Sequence, residues 1–310
     1  MSLSSPASET HVCKHHAISK KNTSQHLLLR LAGGLALSGS IGLLAYRRGS
    51  LSRSGIFGAI FTGTTTVGLG GGSWGFTLIY FFLSSSFLSH FRAREKEKTA
   101  ADKFSKGSQR DFAQVIANGG VASACAISNS LISRSAVREI ITSGYAGALA
   151  TATADTWATE LGVLSTNAPR LLTTGKTVPP GTSGGITPLG ICAAATGALS
   201  LGTIFTLLRR GTTPLLPLLT LLGGLGGSLF DSWLGATFQA MYICPTCQQE
   251  TEQRIHNCGT VTQHIHGVSW MNNDVVNFLA TLFGGLCTAL LQLLLVRQPK
   301  IDTHSLHKNP

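Results

Sequence analysis

The stretch Val275–Val296, VVNFLATLFGGLCTALLQLLLV, carries no charged residue. It is close to the ~20 residues a helix needs to cross ~30 Å of hydrocarbon. Ile186–Leu208 reads the same way, and further apolar runs recur at about 27–45, 55–72, 74–91, 112–132, 140–161 and 214–236. The composition agrees. Only 12% of the 310 residues are charged, Gly is 36, and mean hydropathy is +0.24. Soluble domains carry ~25% charged residues. Intrinsic disorder is excluded by the apolar content, collagen by the lack of a Gly-X-Y period, and a disulfide framework by seven cysteines scattered over a long chain. The expected architecture is an all-α, polytopic integral membrane bundle of about six to eight transmembrane helices. Residues 27–297 form its single transmembrane domain, including a polar Cys/His loop at 237–273. A flexible polar tail is expected at 1–26, which lacks the early apolar stretch of a signal peptide, and a second tail at 298–310.

Gly, Ala, Ser and Thr fill most of the apolar runs, which suits close helix packing in lipid, and Gly223-x-x-x-Gly227 has the corresponding spacing. Gly70-Gly71-Gly72 interrupts the second and third runs, which are either two crossings or one broken one. Counting eight crossings puts residues 92–111, 162–184 and 237–273 on one face. Arg92, Arg94, Lys96, Lys98, Lys103, Lys106 and Arg110 crowd the first of these, so this face is expected to be cytoplasmic, on the endoplasmic reticulum or another endomembrane. Arg47-Arg48-Gly49 and Arg209-Arg210-Gly211 echo each other, but their spacings to the following glycines differ, and chance explains the echo.

Three acids stand out. Asp155 and Glu160 close an otherwise apolar run in Asp155-Thr156-Trp157-Ala158-Thr159-Glu160, and Asp231 sits in Gly226-Gly227-Ser228-Leu229-Phe230-Asp231-Ser232. Acids at that depth cost ~2.5–3.5 kcal/mol on insertion scales and face a cavity or a partner. Asp155 and Glu160 are ~140° apart on a straight helix, so they do not aim at one ion. Asp155 and Asp231, from separate helices, suit Mg²⁺, which takes one or two carboxylates and completes its shell with water and phosphates. The alternative is that each acid is neutralised by a Lys or Arg, or hydrogen-bonded between helices.

The basic segment reads either as a strip on anionic headgroups or, at Lys103, Lys106 and Arg110, as phosphate ligands beside the next helix. Gln114 and Asn118 point polar groups into the bundle from that helix. Gly175-Lys176-Thr177 is not a P-loop, because position 170 is Arg rather than the required Gly. The stretch that follows, Val178-Pro179-Pro180-Gly181-Thr182-Ser183-Gly184-Gly185, is read as an anion-binding nest beside Lys176, with a plain interhelical turn as the alternative. Cys244-Pro245-Thr246-Cys247, then His256-Asn257-Cys258, has zinc-ligand spacing, with His264 in reserve for His256. A disulfide or free thiols are the alternatives; a zinc here would be structural. Cys13, Cys125, Cys192 and Cys287 stand alone.

Over roughly residues 40–297 the chain resembles the transmembrane protein 19 family, which includes the plant and cyanobacterial phytyl-phosphate kinases. The resemblance is carried by Gly107-Ser108-Gln109-Arg110, Gln114-Val115 and Ala117-Asn118-Gly119-Gly120, by Asp155–Gly162, Val178–Gly185 and Gly227–Ser232, and by Asn272-Asn273-Asp274 with Asn277. It implies a membrane-embedded phosphotransferase that phosphorylates an isoprenoid monophosphate with a nucleoside triphosphate such as CTP. Its partners would be the bilayer and these two substrates, with no nucleic acid. In that reading Asp155 and Asp231 hold Mg²⁺, and Glu160 is an orienting or third acid. Lys103, Arg110 and Lys176 grip phosphates, and the backbone of Gly181, Thr182, Ser183, Gly184 and Gly185 cradles them. Asn118, Asn273 and Asn277 add hydrogen bonds, and Zn²⁺ sits on Cys244, Cys247, His256 and Cys258. The competing readings are an ion- or proton-coupled transporter and a non-catalytic membrane scaffold.

Overall fold

In a computed structural model the described residues are 7–100 and 109–296. Residues 1–6, 297–310 and 101–108, and with them Lys103 and Lys106, lie outside these. Every apolar run falls on a helix. In chain order these are α1 (Ala7–Arg47), α2 (Arg53–Thr65) continued by a π-turn (Thr66–Gly70), α3 (Gly72–His90), the short α4 (Ala93–Ala100), α5 (Phe112–Leu131), α6 (Ser135–Gly162), α7 (Pro188–Leu208), α8 (Leu216–Thr237) and α9 (Asn273–Val296). Local signals set the starts. Ser52 caps α2, Asp111 and Gln114 form a reciprocal capping box on α5, and Thr187 caps α7 ahead of Pro188. Among the described residues, three segments are long and apolar enough by themselves to cross a membrane: Gln25–Arg47, Pro188–Leu208 and Asn273–Leu295.

α6 is the central helix, with Thr142 through Ala154 all buried. Its small residues let α8 and α9 come close, since a Cβ on Gly147 or Gly223 would overlap Thr288 and one on Gly284 would overlap Thr151. Gly223 and Gly227 of the Gly-x-x-x-Gly pair meet α9 and α6 respectively, through Thr288 and Thr151. Trp74, Tyr145 and Phe205 join α3, α6 and α7, with ring centroids 4.1 Å apart for Trp74–Tyr145 and 5.4 Å for Tyr145–Phe205. Outward-facing Phe57, Phe76, Phe87, Leu131, Leu207 and Leu286 are exposed, as lipid contact requires.

Contacts give the direction of each pass. Trp74 meets Tyr145 and Ser89 meets Glu160, so α3 and α6 run parallel; Ala150 meets Gly224 and Thr151 meets Gly227, so α8 runs with them. α9 is antiparallel to α6, pairing Thr151 with Gly284 and Gly147 with Thr288. Ser52, at the start of α2, donates its amide to Arg110 O at 3.0 Å, next to the start of α5. α2 and its π-turn therefore lead away from the end to which α3 returns. The glycine run is a reversal between two antiparallel passes, made at Gly71, whose φ of +97° suits glycine. The segments around 48–52, 91–100 and 109–111, 163–187 and 238–272 all gather at one end of the bundle.

Two small sheets at that end correct the all-helical expectation. β1 (Arg170–Leu171) pairs antiparallel with β2 (Gly185–Ile186). β3 (Met241–Ile243) lies between β4 (Glu250–Thr251) and β5 (Gln263–His266). Strands of two to four residues are too short to leave an alternating pattern in the sequence.

Candidate functional site

Asp155 lies one turn beyond Thr151 on α6, and Asp231 one turn beyond Gly227 on α8. Because Thr151 and Gly227 touch and the helices run parallel, the two carboxylates meet at the same level. Asp155 hydrogen-bonds with Ser228 of α8, and Asp231 lies within electrostatic reach of both Asp155 and Glu252. Asp231 Oδ2 is buried and has no hydrogen-bond partner among the described residues. A buried anionic oxygen without a donor is costly, and a cation is the group that relieves it. The donor set, two carboxylates and a hydroxyl, is hard oxygen, the kind Mg²⁺ takes.

Glu160 is elsewhere. Its Oε2 pairs with Lys96 Nζ at 2.6 Å and its Oε1 accepts from Ser89 Oγ at 2.6 Å. Arg110 joins the same group, donating to Ser86 Oγ at 2.9 Å and Ser89 Oγ at 3.3 Å. Burial pulls the Arg110 guanidinium below its ordinary value, and the charge of Glu160 pushes it back up. Lys96, Ser86 and Ser89 were not singled out in the sequence; the Ser84-Ser85-Ser86 and Ser89 cluster ending an apolar run is the signal that marks the two serines, and Lys96 has none.

The Pro-Pro-Gly segment folds as a hairpin closed by β1 and β2, with Lys176 exposed near its tip. Its far side packs on α8. At Gly184, where φ is +77°, a Cβ would fall 2.6 Å from Ser232 O, the residue after Asp231. Ser183 Oγ donates to Gln239 Oε1 at 3.0 Å. The Thr182 and Gly185 amides bond back to Pro179 O and Thr182 O, at 3.2 and 3.0 Å. Asn118 donates to Gln114 O at 3.0 Å within α5. Asn273 and Asn277, half-buried and one turn apart, open α9 at the same end of the bundle.

The polar loop between α8 and α9 brings Cys244, Cys247, His256 and Cys258 together, one ligand atom from each lying within 4.8 Å of the others. Cys244 Sγ and Cys258 Sγ are 3.6 Å apart, and His256 Nδ1 is 3.2 Å from Cys258 Sγ. The Cys247 amide points at Cys244 Sγ at 3.5 Å. Hydrogen bonds with Thr260 and then His256 hold the Cys258 thiol down at about 6, while Cys247 is pushed up to about 11, first by its hydrogen bond with Cys258. A divalent metal removes the penalty of crowding these sulfurs. The four groups fit a metal such as zinc, and all of the cysteines here are free of disulfides. His264 lies on β5 instead, edge-on to Tyr242 at 5.4 Å.

Comparison with known proteins places the chain in a family. No solved structure matches the chain. It is 34% identical to Protein PGR of Arabidopsis thaliana over 281 residues, covering 84% of this chain and 96% of that protein. An uncharacterized membrane protein of Methanocaldococcus jannaschii is 28% identical over 264 residues, 85% of this chain and 95% of that one. Protein VTE6, chloroplastic, of Arabidopsis thaliana is 27% identical over 244 residues, 78% of this chain and 65% of that one. The family model described as integral membrane protein DUF92 matches residues 36–285, from the middle of α1 into α9, and the chain belongs to that family.

Proposed function

We propose that the chain is a membrane-embedded kinase that transfers a phosphoryl group from a nucleoside triphosphate, CTP by the family resemblance, to an isoprenoid monophosphate. The observation that carries this reading is the pair of buried carboxylates, Asp155 and Asp231, with Asp231 Oδ2 unpartnered among the described residues. Mg²⁺ held there would neutralise the oxygens of the transferring phosphoryl group. The acceptor's ionised phosphate oxygen attacks the γ-phosphorus and the nucleoside diphosphate leaves, so no strong general base is required. Arg110, Lys176 and Lys103 supply cations for the phosphates. The amides of Gly181, Ser183 and Gly184 supply a nest where those of Thr182 and Gly185 are already bonded, and Asn118, Asn273 and Asn277 add donors. Glu160 is a positioning residue: through Ser89 it orients Arg110. The gathering of the described groups among these at one end favours an enzyme over a transporter, which needs access from both ends. The eight helical passes cross an endomembrane, with this end in the cytosol.

The experiment is transfer of γ-labelled phosphate from CTP to prenyl monophosphates by purified protein. Transfer is expected and is abolished by Asp155→Asn in protein that stays folded; no transfer to any prenyl phosphate overturns the reading.

The Cys244–Cys258 cluster holds a structural Zn²⁺ that closes the loop joining Asp231's helix to α9. Metal analysis is expected to find about one zinc per chain, lost in Cys244→Ser/Cys247→Ser; a Cys244–Cys247 disulfide in native protein rejects the site.

A further inference from the structure

An apolar cavity of about 80 Å³ lies between α1, the α2 π-turn, α3 and α5. Leu37 and Ile41 line it from α1, Val67 from the π-turn, and Leu78 and Phe82 from α3. Ala59 lines it from α2, and the remaining wall is the start of α5, with Gln114 and Asn118 one turn apart and Arg110 just ahead of the helix. Two of these polar side chains are tied to their own helix: Gln114 Oε1 accepts from the Asp111 amide at 3.1 Å, and Asn118 donates to Gln114 O. Arg110 differs. It is half-buried, its guanidinium carbon stands 6.0 Å from the Phe82 ring centroid, and its hydroxyl partners are neutral.

We infer that this cavity receives the methyl branch of the headgroup-proximal isoprene unit of a prenyl monophosphate, with the neighbouring Arg110 drawing in the phosphate. The apolar walls exclude a polar ligand, and the half-buried cation beside them selects an anionic one. Size narrows the choice further. An engineered apolar cavity of about 150 Å³ takes up benzene, so about 80 Å³ admits roughly half as many carbons, the methyl branch of one five-carbon unit of a single chain. A diacyl phospholipid would have to bring two chains and a glycerol to the same mouth. The rest of a prenyl tail leaves between the helices into lipid. The position also suits transfer: Arg110 reaches Glu160 through Ser89, and Glu160 is five residues, about 7.5 Å along α6, from Asp155. The identity of the ligand rests on the kinase reading; the existence of the lipid site does not.

The test is photolabelling of the full-length protein in nanodiscs with farnesyl monophosphate carrying a diazirine on its first isoprene unit. Label is expected in α2 and its π-turn, α3 and the first turns of α5. Ala59→Leu, which narrows the cavity wall, is expected to reduce it about tenfold; Ala59→Val serves if the larger residue prevents folding. Label confined to the outer faces of α7–α9, or undiminished in a folded cavity-narrowing variant, overturns the proposal. So does equal competition by phosphatidic acid, which makes the occupant a bilayer lipid. Labelling of the cavity in protein that transfers no phosphate supports the site and overturns only the kinase reading.

Discussion

Asp155 and Glu160 sit five residues apart on one helix, at one end of the bundle, yet their surroundings are opposite. Glu160 is answered on both oxygens, by Lys96 and Ser89, at 2.6 Å each. Asp155 faces Ser228 and a second carboxylate, and that second carboxylate has a buried oxygen with no partner among the described residues. A compensated acid holds elements together, whereas an acid placed against another acid costs stability unless something positive arrives. The contrast separates a group that keeps α4 and α3 on the bundle from a pair that the proposed Mg²⁺ would relieve.

The largest effects should fall on the uncompensated pair. Asp231→Asn is expected to lower phosphoryl transfer by about 10³-fold, roughly 4 kcal/mol. The same variant, in metal-free buffer, is expected to unfold at the same temperature as the parent or higher, because it removes a buried charge without changing shape. Kinetics and thermal unfolding on one preparation check both. A clear loss of stability would show that Asp231 is a structural acid like Glu160.

That contrast was only half legible in the sequence. Helix geometry turned Asp155 and Glu160 ~140° apart, which the two separate environments match. The meeting of Asp155 with Asp231 needs α6 and α8 to run parallel, which depends on the number of passes between them, and apolar runs give that number only where their punctuation is clear. Between α6 and α8 the single run Ile186–Leu208 gives it clearly, whereas Gly70-Gly71-Gly72 left open only the count earlier in the chain. The partner of Glu160 was not legible at all. Lys96 is one of seven similar cations between Arg92 and Arg110, and only the docking of α4 beneath α3 singles it out. The Cys/His loop was the reverse case: four candidate ligands close in sequence need no knowledge of the bundle, and the sequence already put His256 ahead of His264, which β5 carries away from the cluster.

Breaking the compensated pair sharpens the comparison from its other side. Lys96→Met leaves Glu160 with a hydroxyl and a more distant Arg110. Removing one partner of a buried pair costs about 3–5 kcal/mol, and because the Glu160 side chain keeps 21% of its exposure, about 2–3 kcal/mol is expected here. Adding Glu160→Gln to Lys96→Met should restore most of it, since no bare charge then remains. Denaturant unfolding of the two variants measures the difference, and no recovery in the double variant would show that Lys96 acts through its bond to Leu88 O rather than through the pair.

The smallest effect belongs to a second ion pair, on helices α6 and α7, toward the opposite end of the bundle. Arg209 Nη2 meets Glu139 Oε1 at 3.2 Å, longer than the Lys96 contact, and both side chains are more exposed, at 22% and 31%. Arg209 Nη1 is buried without a partner among the described residues. Truncating Arg209 therefore removes a penalty along with the attraction. Arg209→Met is expected to cost about 1 kcal/mol or less, with transfer unchanged because Glu139 lies some sixteen residues, about 24 Å along α6, from Asp155. If unfolding instead showed a loss as large as that of Lys96→Met, compensation alone would explain stability at both ends of the bundle. The polar end would then be distinguished only by Asp155 and Asp231.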